Sequence, residues 1–221
     1  MCTATILGLL LLSVLAGNFS LDRVSADGVS WWNNNWLYRK TITIDHTKVS
    51  GSLVNFPVLI DLSDSDLSTN ALSNANDIAF TDESANKLHH EIEFYNAAIG
   101  RLIAWVEVPT LSSTVDTVIY MYYGNPAAPS QQNVQGTWDS NYVMVQHLKE
   151  NTGLFYDSTY SANDGTGYGT VSRNITGKVD GAVSFDANHD DYIDCGSKAN
   201  LNFGTGSFTV SLWVNGAAQS G

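Results

Sequence analysis

The sequence predicts an all-β protein built from antiparallel sandwiches, and three observations support this fold class. From Trp36 to Asn125, apolar and polar residues alternate with the period of a half-buried strand rather than that of a helix. Turn-forming residues separate the alternating segments at regular intervals, as in antiparallel sandwiches. The 221 residues include 18 glycines, and with 43% hydrophobic and 14% charged residues the chain has the composition of a folded domain.

The first half of the chain contains six predicted strands. Pro57 lies near the start of the second strand, where a missing amide donor is tolerated. Asp82–Asn86 predicts a hairpin loop, and Asp66–Asn74 predicts a helical turn. The predicted strands are Thr41–Ile44, Phe56–Leu62, Asp77–Thr81, His89–Tyr95, Leu102–Val108 and Thr117–Tyr123.

The composition changes after the sixth strand. Residues 126–137 contain two prolines and no apolar periodicity, which predicts a linker. Short β segments then resume at Tyr142–Leu148, Ala182–Phe185, Asp191–Asp194 and Ser207–Val214. The last segment is strongly apolar and needs neighbouring strands on both sides. We therefore expect 138–221 to be the first part of a domain that continues in a longer polypeptide.

The N-terminus has the features of a secretory signal peptide over residues 1–26. Ile6–Ala16 is an eleven-residue apolar run, about half the length that spans a bilayer, and Val24–Ala26 offers small residues for cleavage. A buried N-terminal helix is the alternative. Removal of 1–26 leaves no membrane span and leaves Cys195 as the sole cysteine, so no internal disulfide can form. We expect a secreted or cell-surface protein.

Charge and missing motifs narrow the function. The net charge of −12, which removal of 1–26 does not change, argues against a nucleic-acid partner because phosphate backbones would be repelled. The sequence has no Gly-x-Ser-x-Gly nucleophile motif, no phosphate-binding loop and no Cys-x-x-Cys metal spacing. We therefore predict no catalytic residues and expect that the chain is not an enzyme.

Six short blocks in the first half carry a family resemblance. They are Trp36–Ile44, Asn55–Ile60, Asp77–Asp82, His90–Tyr95, Ala104–Pro109 and Tyr120–Asn125. In this order they resemble the DUF2341 family, an extracellular bacterial and archaeal domain without an established function. The resemblance implies a β-sandwich over 27–125 and an extracellular location, but no chemistry.

The second half resembles the opening of a concanavalin A-like, laminin G-type jelly roll. The blocks that carry the resemblance are Tyr142–Leu148, Asp157–Gly165, Gly177–Asp186, Asp191–Ile193 and Phe208–Val214. The predicted fold is therefore an antiparallel β-sandwich domain followed by an incomplete concanavalin A-like jelly roll over 138–221. The resemblance implies glycan binding, and in some members calcium binding. Ala187 departs from the family's usual Phe-Asp-Gly turn.

Three tryptophans are the predicted ligand-binding residues. Trp31, Trp32 and Trp36 cluster just before the first strand. Exposed aromatic faces stack on sugar rings, which makes such a cluster a candidate glycan site. A role in the core or as a contact between domains is the alternative.

Three aspartates are the predicted calcium ligands. Asp157, Asp164 and Asp186 lie in turns of the region that resembles calcium-binding relatives. Calcium takes six to eight oxygen ligands, which clustered carboxylates and carbonyls supply. Aspartate also caps turns by accepting hydrogen bonds from the nearby backbone, and this remains the alternative.

One predicted strand carries three titratable side chains on a single face. Alternation places His89, Glu91 and Glu93 together, with His90, Ile92 and Phe94 opposite. Such a set could hold a metal or supply the carboxylate pair of a retaining glycosidase. The alternative, which we favour, is the solvated polar face of an ordinary amphipathic strand.

Three functions remain open at this point. The first is a non-catalytic glycan-recognition or adhesion module, whose ligand should be neutral or weakly cationic because the chain is acidic. The second is a structural spacer of a larger surface protein. The third is an accessory region of a polysaccharide-degrading enzyme whose catalytic domain lies beyond Gly221.

Overall fold

The structure is a computed structural model that describes residues 31–216. The predicted signal peptide, 1–26, lies outside the described residues. The described chain divides into two compact units, an N-terminal unit of 31–145 with 158–162 and a C-terminal unit of 146–157 with 163–216. Both contain antiparallel strands and only short helices, so the all-β prediction is confirmed. The helices described here all lack the length and apolar character that crossing a bilayer requires.

The N-terminal unit consists of two sheets and three short helices. Its strands are β1 (Tyr38–Ile44), β2 (Leu53–Ser63), β3 (Ala79–Asp82), β4 (Lys87–Leu88), β5 (His90–Asn96), β6 (Arg101–Leu111) and β7 (Thr117–Tyr123). Its helices are the 3-10 turn His46–Lys48, α1 (Ser65–Asn70) and α2 (Val134–Thr137). The six predicted strands overlap β1, β2, β3, β5, β6 and β7, and α1 falls where a helical turn was predicted.

The two sheets pack face to face around one apolar core. All neighbouring strands are antiparallel, in the orders β1-β7-β3-β4 and β2-β6-β5. Ile42 and Met121 from the first sheet and Ile60 and Val106 from the second all belong to this buried core. Alternation along each strand delivers these side chains to the same interior, as in β-sandwiches.

A β-bulge changes which residues of β5 point inward. The pairing of β5 with β6 shifts between Ile92 and Phe94, so Glu93 is an extra residue in the ladder. His90 and Ile92 face the core before the bulge, and Tyr95 packs against the core after it. The prediction that Phe94 shares a face with His90 and Ile92 is therefore wrong, because strict alternation does not continue through a bulge.

The segment predicted as a linker covers the outer edge of β5. Gln132 accepts a hydrogen bond from Ile92 N at 2.6 Å, and Asn133 N donates to His90 O at 3.0 Å. Asn133 then caps α2 by accepting from Gly136 N at 3.1 Å. These contacts satisfy edge groups of the sheet that would otherwise be open to another strand. Residues 126–137 and the following stretch to Val145 lie within the N-terminal unit.

The C-terminal unit contains two separate two-stranded ladders. Its strands are β8 (Thr166–Tyr168), β9 (Ser172–Thr176), β10 (Gly181–Ser184) and β11 (Tyr192–Asp194), paired as β9–β10 and β8–β11. Short 3-10 helices span Ala187–His189 and Ala199–Leu201. Isolated bridges join Gln146 to Asp157 and Phe155 to Gly165.

Two predicted strands of the second half are wrong. In Tyr142–Leu148 only Gln146 makes a β bridge, and Ser207–Val214 has no regular structure. Apolar side chains of the latter segment are exposed, Leu212 and Trp213 among them. A strand forms only where another strand supplies hydrogen-bond partners, and none of the strands described between 31 and 216 pairs with this segment.

Candidate functional site

The outer face of the β2-β6-β5 sheet carries two buried carboxylates. Glu91 and Glu93 are each less than a tenth exposed. Glu93 Oε2 accepts a hydrogen bond from Trp105 Nε1 at 2.6 Å, and Glu91 Oε2 accepts one from Trp138 Nε1 at 2.8 Å. Such charge-assisted hydrogen bonds offset the free energy that burial of a carboxylate requires. The favoured prediction of a solvated polar face is thus wrong for both residues.

A returning segment completes the environment of Glu91. Ser158 Oγ donates to Glu91 Oε1 at 2.7 Å, and Ser158 N donates to Val145 O at 2.9 Å. Residues 158–162 thereby belong to the N-terminal unit although the chain before and after them does not. Glu91 joins three separated segments: β5, the chain that follows α2, and 158–162.

A cleft of about 480 Å³ lies beside these residues, within the range of small-ligand sites. Its wall contains one tryptophan, two tyrosines, one histidine and two carboxylates, together with glycine and serine residues. The lining residues are His89, Glu107, Gly136, Trp138, Asp139, Ser140, Tyr142, Tyr160 and Ser161.

His89 has a defined orientation at the cleft wall. Its Nδ1 lies 3.0 Å from Glu107 Oε2 and 3.1 Å from Gly136 O. Both neighbours are acceptors, so we assign the proton to Nδ1, which leaves Nε2 as an acceptor in the neutral ring. A Cβ at Gly136 would lie 2.4 Å from Asn133 Nδ2 and 2.9 Å from His89 Nδ1, so a larger residue there would displace these side chains.

The aromatic side chains of the cleft differ in exposure. Trp138 is buried and packs edge-on to Tyr142 with ring centroids 5.3 Å apart, while Tyr160 is 70% exposed. Burial, together with the nearby Asp139 carboxylate, raises the pKa of Tyr142 above its ordinary value. Tyr142 therefore presents a neutral phenol that can donate a hydrogen bond, and Tyr160 adds a second hydroxyl beside an aromatic face.

The predicted tryptophan cluster lies on another surface, the outer face of the β1-β7-β3-β4 sheet. Trp36 is buried and its Nε1 donates to Asp77 O at 2.6 Å. Trp31 and Trp32 are partly buried and pack against Tyr122, with ring centroids 5.3 and 5.7 Å away. The structure brings the three residues together as a layer over the sheet, and they do not line the cleft described above.

The predicted calcium ligands have hydrogen-bond partners in local turns. Asp157 Oδ2 accepts from Asn163 N, and Asp164 Oδ1 accepts from Asp157 N, both at 2.8 Å. Asp186 caps the Ala187–His189 turn, and the hydrogen bond from the Asn188 backbone lowers the pKa of its carboxyl. These contacts are those of turn-capping aspartates. Calcium at these positions stays a prediction.

Among the described residues, a different group of three side chains has the spacing of potential metal ligands. Asp45, His46 and Asp116 place one ligand atom each within 4.8 Å of one another. His46 Nδ1 lies 2.6 Å from Asp116 Oδ1, and hydrogen bonds from His46 lower the pKa of Asp116. Asp45 caps the following turn by accepting from Thr47 N at 2.8 Å. Hydrogen bonds within the group and its turn thus account for this arrangement.

Sequence reasoning found the face of β5 but missed the cleft. The three residues predicted to share a face of this strand do lie on the outer side of the sheet. His89 contacts Glu107, Glu91 accepts from Trp138, and Glu93 accepts from Trp105. The cleft residues from Trp138 onward follow the proline-containing stretch 126–137, which was interpreted as a linker to another domain. The signal that could have located them is Gly136–Tyr142, where glycine, tryptophan, aspartate and tyrosine follow one another without strand periodicity.

Comparison with known proteins gives one partial family match. Residues 74–166 match the model of the family described as "Domain of unknown function (DUF2341)". This covers less than half of the chain, and it confirms the resemblance predicted over 27–125 where the two ranges overlap, at 74–125. Every residue of the cleft lies inside the match, whereas Trp31, Trp32 and Trp36 lie outside it.

The other comparisons gave nothing. No curated protein and no solved structure matches the chain. The laminin G-type resemblance of 138–221 gained no support and stays a prediction. The family match continues to residue 166, through the predicted linker at 126–137 and the returning segment 158–162.

Proposed function

We propose that this chain is a non-catalytic carbohydrate-recognition module of a secreted or cell-surface protein, and that the cleft of the N-terminal unit is its glycan site. The observation that carries the proposal is the composition of the cleft wall, where Trp138, Tyr142 and Tyr160 lie among His89 and two carboxylates. The rings of Tyr142 and Tyr160 provide apolar faces for the C–H surface of a sugar ring, and the polar groups suit its hydroxyls.

The hydrogen-bonding groups of the cleft suit hydroxyl-rich ligands. Glu107 and Asp139 accept hydrogen bonds, Tyr142 and Tyr160 can donate and accept, and His89 Nε2 accepts in the neutral ring. A sugar hydroxyl is both a donor and an acceptor, so it can use either kind of partner. The buried hydrogen bond from Trp138 to Glu91 fixes the position of the Trp138 ring, which supports the exposed groups of the cleft.

This proposal keeps the predicted partner and replaces the predicted site. A glycan or cell-surface polysaccharide remains the partner. The chain would then act as the recognition part of a larger surface protein. The same role fits an accessory region of a polysaccharide-degrading enzyme.

The test is binding of the protein to a glycan array, followed by calorimetry on the ligands that bind, with and without calcium. Tyr160→Ala should weaken binding about five- to tenfold, because loss of one aromatic face costs roughly 1–1.5 kcal/mol. Tyr156→Ala is the matched control, since Tyr156 is likewise exposed but belongs to the C-terminal unit and not to the cleft.

Two results would contradict this proposal. Binding to none of the arrayed glycans overturns carbohydrate recognition and leaves the spacer function. Glycan binding that Tyr160→Ala leaves unchanged and Trp32→Ala abolishes would assign the site to the tryptophan layer instead of the cleft.

A further inference from the structure

We propose that the cleft selects glycans that carry a free, protonated amino group, so that its substrate class is amino sugars rather than neutral or N-acetylated ones. This inference rests on the proposed carbohydrate-recognition function and adds the chemistry of the ligand. Three features of the cleft support it: its negative charge, the further hydrogen bonds that its carboxylates can accept, and its aromatic rings.

Charge is the first argument. Glu107 and Asp139 both line the cleft, and no lysine or arginine is among its described lining residues. The chain as a whole has a net charge of −12, so its field adds to the attraction for a cation at this site. Glu107 retains only 16% side-chain exposure, and reduced solvent screening there strengthens its interaction with a bound charge.

Unused hydrogen-bonding capacity is the second argument. Glu107 Oε2 accepts from His89, and the oxygens of Asp139 accept from Asn141 N and Nδ2 at 2.8 and 2.9 Å. An ionised carboxylate offers about four lone-pair positions, so both groups can accept further hydrogen bonds. An ammonium group has three donors and no acceptor, so it matches these carboxylate acceptors better than a hydroxyl does.

The aromatic rings supply a third argument. A cation within about 6 Å of a tyrosine or tryptophan ring is attracted to its face, and Tyr142 and Tyr160 line the same cleft as Asp139. The same rings stack on the apolar side of the sugar. An N-acetyl group would bring no charge, and a sugar carboxylate or sulfate would be repelled by Glu107 and Asp139.

The experiment compares matched oligosaccharides by calorimetry. Glucosamine oligomers, with their amines protonated, and N-acetylglucosamine oligomers of the same length are titrated into the full chain. We expect the glucosamine oligomers to bind about tenfold tighter. Glu107→Gln should remove most of that difference by weakening the glucosamine oligomers more than the acetylated ones, because glutamine keeps the shape and the acceptor for His89 but loses the charge.

Two further variants complete the design. Asp139→Asn should act in the same direction as Glu107→Gln. Glu83→Gln makes the same chemical change at an exposed residue that does not line the cleft, and it should preserve the preference. Thermal unfolding of each variant verifies that the fold is retained.

The outcomes separate this inference from the function on which it rests. Equal affinity for the two ligand sets overturns the amino-sugar preference and leaves carbohydrate recognition in place. A preference that survives in both Glu107→Gln and Asp139→Asn, or that Glu83→Gln removes equally, also overturns it. Failure of both ligand sets and of every arrayed glycan to bind would overturn the proposed function itself.

Discussion

His90 is a buried residue whose chemistry departs strongly from its ordinary state. Its ring is fully buried and packs edge-on to Phe80 with ring centroids 5.1 Å apart. Burial lowers the pKa of His90 from 6.5 to about 4, against the opposing effect of the Leu88 and Ile78 backbone. The folded protein therefore holds a neutral imidazole at pH values where the unfolded chain is protonated.

The first prediction concerns acid stability. Because the pKa is lower in the folded state, the unfolded chain takes up the proton first as pH falls below about 6.5, and stability is lost toward pH 4. A shift of this size corresponds to about 3 kcal/mol of the free energy of unfolding. His90→Leu should remove this part of the pH dependence in urea unfolding between pH 7 and 4.5.

The exposed His189 provides the control for that measurement. His189→Gln should retain the pH dependence of the unsubstituted protein, since its side chain is 54% exposed. If His90→Leu and the unsubstituted protein lose the same free energy between pH 7 and 4.5, the buried neutral histidine is not responsible.

Strand β5 shows, at the scale of elements, why a buried carboxylate can stabilise a sheet. Glu91 accepts hydrogen bonds from Trp138 and Ser158, so one side chain connects β5 to two segments that are distant in sequence. The edge of the same strand is covered by Gln132 and Asn133. Segments without strand periodicity thus depend on β5 for their placement.

The next prediction tests this dependence. Glu91→Gln keeps the volume but replaces one acceptor oxygen by a donor, which leaves a buried N–H of Trp138 or the Ser158 hydroxyl without its acceptor. We expect a loss of about 1–3 kcal/mol in the free energy of unfolding, and more for Glu91→Ala. Denaturant unfolding measures it, with Glu83→Gln expected to change stability by less than about 0.5 kcal/mol. A loss no larger than that of Glu83→Gln would show that Glu91 does not hold these segments.

The sandwich strands were predictable from sequence, and the cleft was not. Alternation in segments such as Thr41–Ile44 and Thr117–Tyr123 reports directly on burial of one face, and β1 and β7 appear there. The bulge at Glu93 and the return of 158–162 depend on hydrogen bonds between distant residues, which local periodicity does not record. The charged face of β5 was located correctly, but its burial depends on Trp138, which a local pattern cannot place there.

Packing differs between the two units of the molecule. The N-terminal unit contains a continuous core between its sheets and an aromatic layer around Trp36. Among the described residues of the C-terminal unit, Phe155 is the only buried apolar side chain, with the Arg173 guanidinium 4.0 Å from its ring centroid. Burial of apolar surface is the main source of folding free energy, so the two units should differ in local stability.

The last prediction measures that difference by amide hydrogen exchange in the intact chain. Amides paired between β2 and β6, which share ten register positions, should open only with the core of the N-terminal unit. Amides of β9 and β10 belong to an isolated two-stranded ladder with little apolar cover, and such ladders are marginally stable in water. We expect them to exchange at least about tenfold faster after correction for intrinsic rates, a gap of about 1.4 kcal/mol or more in opening free energy. Equal protection of the two ladders would mean that the C-terminal unit gains its stability from something other than apolar burial among the described residues.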